Sequence, residues 1–150
     1  MQPIIGLDFD EIMFQLLYSK VKIPLDSIYI ACLRKVAEFT KVELSITAEC
    51  MPELFVGDDY VDMHVTRREF EEASKSLLQK TIDATKKILE DHPKHKPEII
   101  LLTGGASQMP MVKRELEKVI PEYRDKIIYF RPERTVAYGA ARYGTVERRL

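Results

Sequence analysis

Glu38, Lys41, Val42 and Ser45 stand at i, i+3, i+4 and i+7, so on a helix all four project from one face. A carboxylate, an ammonium and a hydroxyl grouped in this way can hold a polar ligand. They can equally form a solvated stripe in which Glu38 and Lys41 pair for about 0.2–0.5 kcal/mol. A second pattern runs through Leu101-Leu102-Thr103-Gly104-Gly105-Ala106-Ser107-Gln108-Met109-Pro110. An apolar strand from Glu98 to Thr103 enters a diglycine. Pro110 then opens a helix that carries Val112, Leu116 and Val119 on one face. Proline suits the first helical turn, where its missing N–H has no partner to lose. Glycines at a strand-to-helix switch let a ligand approach bare backbone close to a helix N-terminus, the layout of a nucleotide site at the carboxyl edge of an α/β sheet. The same ten residues also suit a plain corner.

The remaining reactive residues assemble into no catalytic group. His92 and His95 have His-x-x-His spacing but sit on the lysine- and proline-rich run His92-Pro93-Lys94-His95-Lys96-Pro97, which reads as a solvated linker. His64 alternates with the apolar residues of a strand and is expected to face solvent. Asp8 and Asp10 read as caps for a helix beginning at Phe9 or Asp10. Ser45 and Ser107 have no histidine near them in sequence, and Cys32 falls on an apolar helix face. No catalytic residue and no metal ligand is assigned.

The elements that must position these groups follow from periodicity. Phe9 to Tyr18 reads as a helix with Ile12, Leu16 and Leu17 inward. Asp26 or Ser27 caps a second helix that reaches about Ser45. Short strands are expected over Ile46–Met51, Glu53–Val56 and Tyr60–Val65, with Gly57-Asp58-Asp59 as a turn. Thr66-Arg67-Arg68-Glu69 has capping-box spacing. Behind it Phe70, Ala73, Leu77, Thr81, Ile82, Thr85 and Leu89 mark a long amphipathic helix, with a bend possible near Ser74. Strand, helix, strand and helix follow the 92–97 linker, the best internal boundary.

Composition adds loose bounds. The 150 residues carry a formal net charge of −1, with both signs scattered. That balance lacks the basic footprint of a nucleic-acid binder or of a protein held to an anionic membrane. Cys32 and Cys50 read as free thiols.

Arg131-Pro132-Glu133-Arg134-Thr135-Val136-Ala137-Tyr138-Gly139-Ala140-Ala141 follows a short apolar strand, Ile127 to Phe130. Together with the diglycine loop it resembles the end of the ATPase domain of the 70-kilodalton heat-shock (DnaK-type) chaperones. There a Gly-Gly-x-Ser/Thr-x-x-Pro adenosine loop precedes a strand and a Pro-Asp/Glu-x-x-Val-Ala-x-Gly-Ala-Ala helix. Gly6-Leu7-Asp8-Phe9-Asp10, Ala37-Glu38-Phe39-Thr40-Lys41-Val42-Glu43-Leu44-Ser45 and Thr66-Arg67-Arg68-Glu69-Phe70-Glu71 resemble further family segments, in the family's order over residues 6–144.

The resemblance implies an α/β fold: an α+β upper subdomain over 1–92 and part of an actin-like (ribonuclease H-like) α/β lobe over 97–150. It implies ATP or ADP as cofactor, with magnesium supplied with the nucleotide in the full-length parent. Glu38, Lys41, Val42, Ser45, Gly104, Gly105, Ala106, Gln108, Met109 and Glu133 would surround the adenosine between the two subdomains. Gln108 stands where the family commonly has an arginine that stacks on the purine, and Glu133 where it usually has Asp. The Asp-Leu-Gly-Gly-Gly-Thr phosphate loop is not found, so the chain is expected to be a non-hydrolytic piece of a larger ATPase. Its implied partners are a nucleotide-exchange factor at the upper subdomain, the rest of the ATPase domain and a peptide-binding domain. The implied compartment is the cytoplasm. The alternatives are a docking module, or a piece of another actin-like or sugar-kinase-like ATPase.

Overall fold

A computed structural model describes residues 6–94, 96–130 and 134–147. It divides into two compact units, 1–81 and 82–150.

The first unit opens with α1 (Gly6–Tyr18) and α2 (Ser27–Glu43), which pack against each other. Asp26 caps α2: its carboxylate accepts from the N–H groups of Ile28 and Tyr29 at 2.9 and 3.0 Å. That satisfies two of the first-turn donors that have no partner inside the helix. The inward stripe of α1 is Phe9, Met13, Phe14 and Leu17. Ile12 and Leu16, expected inside, are only half-buried, because the stripe is rotated toward the large Met13 and Phe14 side chains. On α2 the buried set is Leu33, Ala37 and Thr40, and Cys32 is exposed rather than on the apolar face. Thr40 tolerates burial because its hydroxyl donates to the Val36 carbonyl at 2.8 Å.

Four short strands follow: β1 (Glu49–Cys50), β2 (Glu53–Val56), β3 (Asp59–Asp62) and β4 (Val65–Thr66). β2 and β3 form an antiparallel hairpin, with Val56 opposite Asp59. Gly57 takes φ +64° at the turn, a conformation glycine adopts without a Cβ penalty. The Gly57 N–H donates to the Tyr29 hydroxyl at 2.9 Å and so ties the hairpin to α2. β1 pairs antiparallel with β4. Ile46, expected to open a strand, is exposed in the turn after α2.

Thr66 and Glu69 form the expected capping box at the start of α3 (Arg67–Asp91). The Glu69 N–H donates to Thr66 Oγ1 at 3.2 Å, and the Thr66 N–H donates to Glu69 Oε2 at 2.8 Å. Glu69 Oε1 also meets Lys20 Nζ at 2.7 Å. The buried line of α3 is Phe70, Ser74, Leu78 and Ile82, a spacing of four throughout. Phe70 and Ile82 are buried as the sequence pattern suggested, but between them Ala73 is exposed and Leu77 half-buried, with Ser74 and Leu78 inside instead.

The second unit holds a parallel pair, β5 (Ile100–Leu102) and β6 (Ile127–Tyr129), joined through α4 (Pro110–Val119). α5 (Thr135–Glu147) closes the described chain. Leu102, Met109, Met111, Leu116, Ile120, Tyr123 and Ile127 are buried here. Leu101 pairs in register with Ile128, and both are exposed together with Ile99 and Phe130. Side chains alternate along strands, so these four share one uncovered apolar face, of the kind that associates. The polar linker ends α3, whereas packing divides the chain within α3, between Thr81 and Ile82. Beyond that point Leu89 lines a cavity with Val119, Ile120 and Tyr123. Among the described residues no helix is long and apolar enough to cross a membrane.

The capping box makes a testable prediction. Lys20 first, and then the Thr66 N–H, hold the Glu69 carboxyl at about 2, below its usual 4.5. A carboxyl whose pKa is lowered by folding stabilises the folded chain above the unfolded pKa and loses that contribution as pH falls. Urea unfolding should therefore show Glu69 stabilising fully above pH 4.5 and progressively less toward pH 2. Glu69→Gln should flatten that acid limb, by only about 1 kcal/mol because solvent screens a partly exposed pair. Thr66→Ala should cost about 1 kcal/mol at neutral pH.

Candidate functional site

In the first unit the residues of the expected ligand face lie on one helix and its exit turn. Glu38, Lys41 and Val42 lie on α2, and Ser45 lies in the turn just past its end. The Ser45 hydroxyl donates back to the Lys41 carbonyl at 3.2 Å, which continues the helical path by one residue. Glu38 and Lys41 do not pair with each other. Glu38 meets Lys35 at 3.3 Å, while the Lys41 ammonium lies 2.5 Å from Asp10 Oδ1 on α1. The Lys41 and Asp10 side chains are only 12% and 20% exposed, so this pair is mostly out of water.

Asp10 corrects the sequence expectation. The helix starts at Gly6, four residues earlier, so Asp10 lies inside it and cannot cap it. Its carboxylate faces α2 instead. Val42 is 56% exposed and offers an apolar surface to a ligand.

Glu38 and Asp10 also line a cavity of about 300 Å³ between α1 and α2. Its wall includes Phe14, with the Arg34 guanidinium 4.0 Å from the ring centroid. Arg34 is in turn held by Glu11 at 2.5 Å. The Arg34 contact, and after it a hydrogen bond from Gln15, lowers the Glu11 carboxyl below its ordinary range. Both acid and base are thus spoken for, and the groove presents a planar, charge-balanced wall.

In the second unit the diglycine forms the expected corner. Gly104 takes φ +85° and ψ 148°, a region that side chains strongly disfavour. Its carbonyl accepts from the Ser107 N–H at 3.1 Å and from the Ser107 hydroxyl at 2.7 Å. Those bonds wind Gly105–Gln108 into a single 3-10 turn. Met109 then precedes α4, with Pro110 in its first turn. Gly105 and Gln108 are exposed and Ala106 half-buried. Met109 is 3% exposed, so its side chain supports the loop from the core instead of standing at the surface.

Gly104 and Gly105 differ in their need for glycine. A Cβ on Gly104 meets no atom within 4 Å, but the backbone there is strained for any other residue. Gly105 has no positive φ, and a Cβ there also meets nothing within 4 Å. Nothing among the described residues therefore asks for glycine at 105.

The α2 face and the diglycine turn belong to different units, and each is formed within its own. Glu133 and His95 lie outside the described residues. His92 Nδ1 is 3.0 Å from the Ile88 carbonyl at the end of α3. His64 is exposed as expected, 3.1 Å from Glu49. Burial pushes the Cys50 thiol up to about 11, with Glu43 adding to the shift, so it is a poor nucleophile. Among the described residues no group of three or more His, Cys, Asp or Glu could hold a metal ion.

The two glycines predict opposite outcomes. Gly104→Ala should destabilise by about 1–3 kcal/mol, the cost of forcing a side chain into that backbone region. Gly105→Ala should leave stability within about 0.5 kcal/mol. Chemical denaturation of the two variants beside the parent chain measures both.

The family model described as Hsp70 protein matches residues 4–149, nearly the whole chain and all five segments on which the sequence resemblance rests. This chain belongs to the Hsp70 family of heat-shock chaperones.

Proposed function

We propose that the chain holds the adenosine part of ATP or ADP, as a non-hydrolytic part of a chaperone ATPase. Glu38, Lys41, Val42 and Ser45 would come from one unit and Gly104, Gly105, Ala106 and Gln108 from the other, with Met109 bracing the loop from beneath. The observation that carries this reading is Gly105. Its backbone is unstrained and its Cβ direction opens onto space, so a bare peptide plane is available to a flat ligand. A side chain there would occupy the approach without disturbing the fold.

The chemistry of the other residues fits a nucleoside. Ribose hydroxyls both donate and accept, and a carboxylate beside an ammonium on one helix face answers both roles. The exposed Val42 side chain suits the face of a purine. Hsp70 proteins in general bind ATP or ADP with magnesium, which supports the ligand class. The metal would arrive with the phosphates. Glu133 enters the proposal by its place in the sequence motif alone.

A second reading, docking of an exchange factor on the first unit, has its own support. Phe55 and Tyr60 are paired across the β2–β3 hairpin with ring centroids 6.4 Å apart, and both are largely exposed. Exposed aromatic pairs of this sort are frequent anchors of protein interfaces.

Restoring the family's arginine separates the two. If Gln108 lies over the purine, Gln108→Arg adds a stacking contact of roughly 0.5–2 kcal/mol, about two- to thirty-fold in affinity. Calorimetric titration should show the gain for adenosine and ADP alike, because the contact is to the base. The gain should vanish in a Gly105→Leu background. Equal affinity of Gln108→Arg and the parent would remove the loop from the site, and absence of binding in both would favour the docking reading.

A further inference from the structure

We infer that Asp10 is a positioning residue of the adenosine site, acting through Lys41. This inference rests on the nucleoside reading above and names a residue which that contact set omits. Its basis is a juxtaposition wholly within the first unit. Asp10 Oδ1 lies 2.5 Å from Lys41 Nζ, both side chains are mostly removed from water, and Asp10 shares its cavity with Glu38. Three charged groups from two helices thus converge at one end of the α2 ligand face.

The effect follows from lysine chemistry. A lysine side chain is a flexible stem with a compact, strongly hydrated charge, and fixing it on a ligand sacrifices rotamer freedom. Asp10 makes that sacrifice on folding, before any ligand arrives, which is how preorganisation raises affinity. The ammonium has three donors. The Asp10 contact is an ion pair without an aligned hydrogen bond, since Asp10 Oδ1 is buried with no hydrogen-bond partner, so it fixes where the ammonium sits and leaves its donors for ligand oxygens. The carboxylate also balances the charge of an ammonium lying in a partly dry place, where an unpaired charge is costly. Neighbouring charges do not substitute for it: Glu11 is engaged with Arg34, and Glu38 with Lys35.

A binding cycle tests the inference. Adenosine is titrated by calorimetry into the whole chain, Asp10→Asn, Lys41→Met and the double variant, with thermal unfolding of each as the folding control. Asp10→Asn should weaken adenosine about tenfold, because the ammonium is no longer held in place by the ion pair. The same change in the Lys41→Met background should leave affinity unchanged, because there is no ammonium to position. An equal loss in both backgrounds would make Asp10 merely structural and overturn the inference. Unchanged affinity of Asp10→Asn beside a binding parent would overturn it as well, while leaving the nucleoside reading intact. A parent chain that binds no adenosine would overturn that reading itself, and the role of Asp10 with it. Should Asp10→Asn fold poorly, Asp10→Glu displaces the carboxylate by one methylene and should weaken binding only where Lys41 is present.

Discussion

The ion pair between Lys41 and Asp10 is the contact on which the first unit's proposed ligand face depends. It joins α1 to α2 at the level where Glu38, Lys41 and Val42 emerge, and it is mostly sequestered from solvent. Exposed pairs contribute little because water and salt screen them. A sequestered pair is different: removing one member strands the other in a poor solvent, at a cost of a few kcal/mol. The same pair therefore fixes helix packing and sets where the lysine charge can point. In the proposed site, structure and binding would be coupled through these two side chains.

The second unit reaches its surface by another route. Its loop is shaped by backbone conformation instead of charge: Gly104 turns the chain, Ser107 closes the turn onto the Gly104 carbonyl, and Met109 anchors it below. This leaves the Gly105 peptide exposed with no internal packing to satisfy. Rigid support around an open backbone suits recognition of a flat group, since little order is lost when the ligand arrives.

Local signals in the sequence were legible where their physics is local. Asp26, the Thr66–Glu69 box and Pro110 each act within one helical turn, and each is found where its spacing indicated. The β2–β3 hairpin and the parallel β5–β6 pair follow from short apolar runs separated by glycine or by a helix-length crossover. What escaped the sequence depends on partners far away in the chain. An acid near a helix start reads as a cap, and only tertiary packing reveals that Asp10 faces Lys41. Cys32 beside Leu33 reads as buried until α1 claims a stripe one position away. On α3, Ser74 and Leu78 take inward positions that the apolar pattern assigned to Ala73 and Leu77, because a helical line at every fourth residue winds slowly around the helix and a small serine can follow it inward. The family itself was legible from motifs, and the 4–149 match bears it out.

The central claim is that the α2 face and the diglycine turn serve one ligand. Titrating adenosine into the ¹⁵N-labelled chain while following backbone amides tests it most directly. The account predicts that the amides of Lys41 to Ser45 and those of Gly104 to Gln108 shift together, along saturable curves that fit one dissociation constant. Shifts confined to one of the two segments, two unrelated dissociation constants, or no saturable shift in either would contradict it.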